Sequence, residues 1–103
     1  MRTPESQIKT DIKRFIERNG WYWCAVQGGA YSKPGDPDLI ACIGGRFVGI
    51  EAKTSDGVQS PIQKVRQREI EDAGGVYLLV RSIDDLAAGL WRNGLIPVPQ
   101  SRD

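Results

Sequence analysis

The sequence predicts an α/β fold, with one four-stranded mixed sheet flanked by helices in the order α-β-β-β-α-β-α. Three observations carry that reading. Segments with helical periodicity and β-rich runs alternate along the chain. Two β-rich runs, residues 38–43 and 46–53, are separated only by Gly44-Gly45, which makes them a hairpin. The stretch after Lys53 then reads as a helix followed by a buried strand. A strand–helix–strand crossover of that kind is right-handed and returns its second strand parallel to the first.

Each element has its own signals. Pro4 stands at the first helical position behind a Thr3 cap, and Glu5 adds an acid to the first turn. Ile8, Ile12, Phe15 and Ile16 recur at helical spacing, and Gly20 closes the helix. Residues 21–26 are aromatic and apolar and make the first strand. A loop rich in Gly and Pro fills 28–37. In the hairpin, Leu39, Ala41, Ile43, Val48 and Ile50 form one apolar face, and Ile40, Cys42 and Phe47 the other. A sheet apolar on both faces needs helices on both sides. Ser60-Pro61 opens the second helix, which ends at Gly74-Gly75. Residues 76–80 make a buried strand, and Ser82-x-x-Asp85 is a capping box for a last helix through about Trp91. The reading is one domain over 1–95 with a C-terminal tail over 96–103.

Composition narrows the chemistry. A chain of 103 residues, 40% hydrophobic and 26% charged, supports one modest core. Apolar runs are too short to span a membrane, and the first residues lack a secretory signal. Cys24 and Cys42 are too few for a disulfide framework and read as small apolar strand residues of a reducing cytoplasm. The chain has no histidine, which excludes Ser-His-Asp and Cys-His catalysis and His-containing zinc sites. Catalysis is left to carboxylates, lysine, tyrosine or an oxygen-held metal. The net charge of +1 does not exclude nucleic acid, because bound cations cancel carboxylates within a metal-dependent site.

Hairpin register supplies the candidate site. A two-residue turn sets Ile43 opposite Arg46, and counting outward sets Asp38 opposite Glu51. Directly opposed residues share a face, with Cβ atoms ~4.5–5.5 Å apart. Lys53, two residues beyond Glu51, projects from that same face. Two opposed carboxylates need a compensating charge. Lys53 supplies part of it, and a divalent cation with oxygen ligands supplies it better. The Ala52 carbonyl lies between Glu51 and Lys53 as a further oxygen. Such a group suits metal-assisted phosphodiester hydrolysis, with Lys53 beside the metal to orient or deprotonate a water. Among the basic residues, Lys9, Lys13, Arg14 and Arg18 on the first helix, Lys33 in the loop, and Lys64, Arg66 and Arg68 on the second helix are candidates for phosphate contact. Tyr31 and Ser32 sit in the glycine loop, which reads either as a place to admit a nucleic-acid backbone or stack on a base, or as a plain connection. No base-reading helix is evident, so recognition is expected to rest on shape and phosphates.

Pro37-Asp38 followed across a hairpin by Glu51-Ala52-Lys53 resembles the PD-(D/E)xK nuclease signature. The longer series is more specific: Pro4-Glu5-Ser6-Gln7, Gly35-Asp36-Pro37-Asp38-Leu39, Gly49-Ile50-Glu51-Ala52-Lys53-Thr54, Ser60-Pro61-Ile62-Gln63 and Gly74-Gly75-Val76-Tyr77. It resembles the VRR-NUC (virus-type replication-repair nuclease) branch, in its stand-alone viral and bacterial form. The resemblance implies a restriction-endonuclease-like core and a site in which Asp38 and Glu51 are the main metal ligands and Ala52 a carbonyl ligand. It implies Lys53 as the catalytic lysine, Glu5 as an outer ligand, and Gln63 projecting toward the site from the second helix. Ile62 departs from the pattern, standing where many members carry an acid. The function expected is an Mg²⁺- or Mn²⁺-dependent, structure-selective DNA endonuclease, specifically a Holliday-junction resolvase acting as a homodimer on branched or four-way-junction DNA. The nucleic-acid contacts expected are Lys9, Lys13, Ser32, Lys33 and Lys64. The alternatives are a flap, nicking or restriction-like nuclease, or a catalytically silent binding module.

Overall fold

A computed structural model describes residues 4–26 and 32–97. Its elements are α1 (Pro4–Arg18), β1 (Tyr22–Ala25), β2 (Leu39–Ile43), β3 (Arg46–Ala52), α2 (Pro61–Asp72), β4 (Val76–Val80) and α3 (Ile83–Arg92). The expected order is the observed one. The sheet runs β1-β2-β3-β4, antiparallel through β3 and parallel between β3 and β4.

Gly44 and Gly45 both adopt positive φ, +59° and +80°. That pair of left-handed residues matches the twist of the flanking strands and closes the hairpin without a bulge. Leu39 therefore pairs with Ile50 and Ile43 with Arg46.

One face of the sheet carries the core. Leu39, Ala41, Ile43, Val48, Ile50, Ala52, Val76, Leu78 and Val80 are buried there with Ile12 and Ile16 of α1 and Leu86 and Leu90 of α3. Leu95 and Ile96, the second of them the first residue of the expected tail, are partly buried against it. The other face holds α2, and two glycines let it approach closely. A Cβ at Gly49 would stand 3.3 Å from Ile70 Cδ1, and one at Gly75 would stand 2.9 Å from Ile70 Cγ2. No residue of α2 is itself buried.

Several expectations change in detail. Helix α2 does not cover the β1–β2 half of its face, where Tyr22 remains exposed. Cys24 and Cys42 are exposed free thiols there, not packed strand residues. The capping box expected at α3 is half formed: Ser82 Oγ accepts from Asp85 N–H, but the Asp85 carboxylate accepts from Arg81 N–H. The Thr3 cap, loop residues 28–31 and tail residues 98–103 lie outside the described residues.

Candidate active site

Asp38 is the last residue before β2, and its neighbours on both sides fix it. Its carbonyl accepts from Val26 N–H at 2.9 Å, and its Oδ2 accepts from Ala52 N–H at 2.9 Å. The first bond carries the β1–β2 ladder one step past the strand. The second ties the carboxylate to the end of β3, where the hairpin register directs it. On the far edge of β3, Lys53 N–H donates to Val80 O at 3.0 Å. N–H and C=O of one residue point the same way in an extended strand. The Ala52 carbonyl therefore faces the Asp38 side.

Glu51 shares the α2 face with Gly49 and Lys53 and is only 3% exposed. Lys53 Nζ lies 3.8 Å from Glu51 Oε2. The other oxygen, Oε1, is buried and has no hydrogen-bond partner. Burial, with the adjacent Asp38 charge adding to it, pushes the Glu51 carboxyl up to about 7. Protonated Glu51 can also donate to Asp38, which favours the neutral form further, while Lys53 opposes the shift.

Helix α1 reaches the same place with its first turns. Lys9 Nζ stands 3.6 Å from both Glu5 Oε1 and Asp38 Oδ1. The expected group of Glu5, Asp38, Glu51 and Lys53 is thus brought together, with Lys9 between two of its carboxylates.

Among the described residues, no three His, Cys, Asp or Glu side chains are spaced to hold a metal by themselves. The donor set still suits a hard cation. Asp38 and Glu51 supply charge, the Ala52 carbonyl supplies a neutral oxygen, and buried Glu51 Oε1 lacks a partner. Mg²⁺ keeps several waters and needs only one or two carboxylates.

Solved structures of similar fold are known. A structure described as a VRR_NUC domain superposes with a TM-score of 0.74 over 88% of this chain and 97% of its own, at 19% identity. A second, a VRR_NUC domain protein, gives 0.73 over 97% of this chain and 93% of its own, at 20% identity. The chain has the VRR_NUC fold. Hjc of Archaeoglobus fulgidus, a Holliday junction resolvase from an archaeal hyperthermophile, gives 0.57 over 75% of this chain and 67% of its own, at 17% identity. No protein-family model matches the sequence, and no curated protein matches it significantly.

Within this VRR_NUC fold, the remaining expected residues divide. Gln63 turns back to the N-terminus of its own helix. Its Oε1 accepts from Ser60 N–H at 2.8 Å while its own N–H donates to Ser60 Oγ, a complete capping box for α2. The sequence carried that signal, since Ser-x-x-Gln ahead of a helix is the capping-box pattern. Lys13 lies over the Trp23 ring, 5.0 Å from its centroid. Ser32 is half-buried at the start of the second described stretch. Lys33 lines a groove of about 350 Å³ with Asp36, Phe47, Arg66 and Ile70, which none of Asp38, Glu51 and Lys53 lines. Lys64 is exposed on α2, in a shallow recess with Arg68. Arg66 is not free for phosphate: it donates to Pro34 O and pairs with Asp36 and Glu69, clamping the loop to α2.

Tyr77 was not expected near the site. It pairs with Gly49, so it shares the Glu51 face. Its hydroxyl is buried without a hydrogen bond, and burial pushes its pKa up, with Gln59 offsetting part of the shift and the Glu51 charge adding to it. Opposition to Gly49 could have located it, but only once the parallel β3–β4 register was known.

Proposed function

We propose that this chain is a VRR-NUC-type, metal-dependent, structure-selective DNA endonuclease, and specifically a Holliday-junction resolvase. The observation that carries the reading is the end of the hairpin, where Asp38 meets the last residues of β3, buried Glu51 keeps one oxygen unpartnered, and Lys53 lies alongside. The resolvase named among the structural neighbours supports the choice of branched DNA.

In this reading Asp38, Glu51 and the Ala52 carbonyl hold Mg²⁺ or Mn²⁺, with Glu5 in an outer position. The bound ion supplies a Lewis acid and lowers the pKa of a water. Lys53 orients that water and stabilises charge on the phosphoryl oxygens. Gln63 acts by fixing the start of α2. Lys9, Lys33 and Lys64, with Ser32, contact the DNA backbone, and Lys13 does so from its place over Trp23. One chain holds one such centre. Resolving a four-way junction needs two symmetry-related incisions, so the active species is a C₂ homodimer.

The test is cleavage of a labelled four-way junction, a flap and a plain duplex, with and without Mg²⁺. The junction should be cut in the presence of metal. Asp38→Asn and Glu51→Gln should each abolish cutting and leave junction binding largely intact. Cutting at the wild-type rate by either variant would overturn the site, and preference for the flap would leave a flap nuclease.

A further inference from the structure

Three carboxylates, Glu5, Asp38 and Glu51, gather at the end of the hairpin with two ammonium groups, and the two lysines are held differently. Lys53 lies on the Glu51 side, and its side chain is 19% exposed. Lys9 lies 3.6 Å from Glu5 and from Asp38, and is 35% exposed. It reaches Glu5 from one turn along α1, an i,i+4 pair, and reaches Asp38 across the gap between α1 and the hairpin. Its contacts are ion pairs, not short hydrogen bonds. An ammonium on a four-carbon stem is a mobile, strongly hydrated point charge. Lys9 thus occupies the place between carboxylates that a cation favours, in a group where buried Glu51 Oε1 still lacks a partner.

We propose that Lys9 is a built-in counter-ion of the carboxylate group. In the metal-free protein it neutralises Glu5 and Asp38. It gives up that position when a divalent cation binds and turns to a phosphate of the bound DNA. The proposal rests on the metal-dependent reading above and adds a positioning residue to it. Opposite charges a few ångströms apart at a half-buried site interact strongly, and so do like charges. Lys9 cannot keep both contacts beside a divalent ion on Asp38. Its release frees Glu5 for the outer position and leaves an ammonium beside the reacting strand. The protein then holds its carboxylates together before metal arrives, at the cost of weaker metal binding without DNA.

The experiment uses the full chain and Mn²⁺ as probe, with binding followed by calorimetry and by the loss of free-ion electron paramagnetic resonance signal. Without DNA, Lys9→Met should bind Mn²⁺ roughly tenfold more tightly than wild type, since a competing charge is gone. Lys9→Arg, which keeps the charge, should stay near wild type. In Ca²⁺, Lys9→Met should bind a four-way junction several-fold more weakly. A lysine that only braces the fold would give weaker Mn²⁺ binding when lost. Equal or weaker Mn²⁺ binding by Lys9→Met, with wild type binding normally, overturns the counter-ion role alone. Absence of Mn²⁺ binding by wild type and variant overturns the metal reading as well. Should Lys9→Met fail to fold, Lys9→Gln gives the same comparison.

Discussion

Glu51 shows how one buried carboxyl sets the pH response of the metal-free protein. Its ordinary pKa is 4.5 and its folded value about 7, so between those values the folded chain keeps a proton that the unfolded chain has released. Stability from this group is present below about pH 4.5 and is lost as pH rises through about 7. The full loss is up to roughly 3 kcal/mol. Glu51→Gln should therefore be more stable than wild type at pH 8 in a chelator, and much closer to it at pH 4, as urea melts will show. Saturating Mn²⁺ should shrink the difference at pH 8. Lys53 separates from its neighbours by another readout. Lys53→Ala should slow the single-turnover chemical step far more than it changes metal affinity, whereas Glu5→Ala should raise the metal concentration needed for half-maximal rate. The opposite pattern would exchange their roles. The juxtaposition of Asp38, Glu51 and Lys53 was legible in the sequence because a glycine pair fixes the turn and the turn fixes the register. Lys9 was read as a phosphate contact because its pairing with Asp38 spans two elements, and helical spacing reports nothing about what faces a helix across a gap.

At the scale of elements, the loop ahead of β2 and helix α2 act together. Gly35 adopts φ +83°, and a Cβ there would lie 2.8 Å from the backbone carbon and oxygen of Ile62. Backbone atoms cannot move aside as side-chain tips do. Gly35→Ala should cost at least about 2 kcal/mol, from left-handed strain and overlap together. It should also reduce activity by shifting Asp38, three residues on. Thermal melts with a junction-cleavage assay check both. Ser60→Ala should cost about 1 kcal/mol through loss of the α2 cap. The helix boundaries were legible from proline, serine and glycine signals. The capping role of Gln63 was passed over because the same residue fits a cap and a family motif, and the observed rotamer shows the cap. Asp85 could not be assigned in advance for a related reason, since two backbone N–H groups lay within reach of its side chain.

Among the described residues, helices α1 and α3 lie on one face of the sheet and α2 alone on the other, where the β1–β2 half has no helix over it. The sheet order followed from the sequence because the Gly44-Gly45 turn pairs β2 with β3 and a strand–helix–strand crossover returns β4 parallel to β3. The uneven cover did not, because alternation shows that a face is apolar without showing how far a helix extends over it. If the protein resolves junctions, light scattering should give twice the chain mass, and a supercoiled cruciform plasmid should become linear mainly within one binding event. A monomer that releases only nicked circles would exclude coordinated resolution.

The open half of the sheet also carries its own chemical reporters. Cys24 stands opposite Ile40 and Cys42 opposite Tyr22, so the two thiols lie on neighbouring strands on one side of the sheet. With no other cysteine in the chain, the uptake of a thiol reagent counts only this surface. An interface built on the β1 strand would shield both sulfurs, and their labelling would slow as protein concentration rises through the dimer equilibrium. An interface at the exposed Trp91 end of α3 would leave the rate unchanged. The native sequence therefore offers a footprint of its own assembly, without an added label.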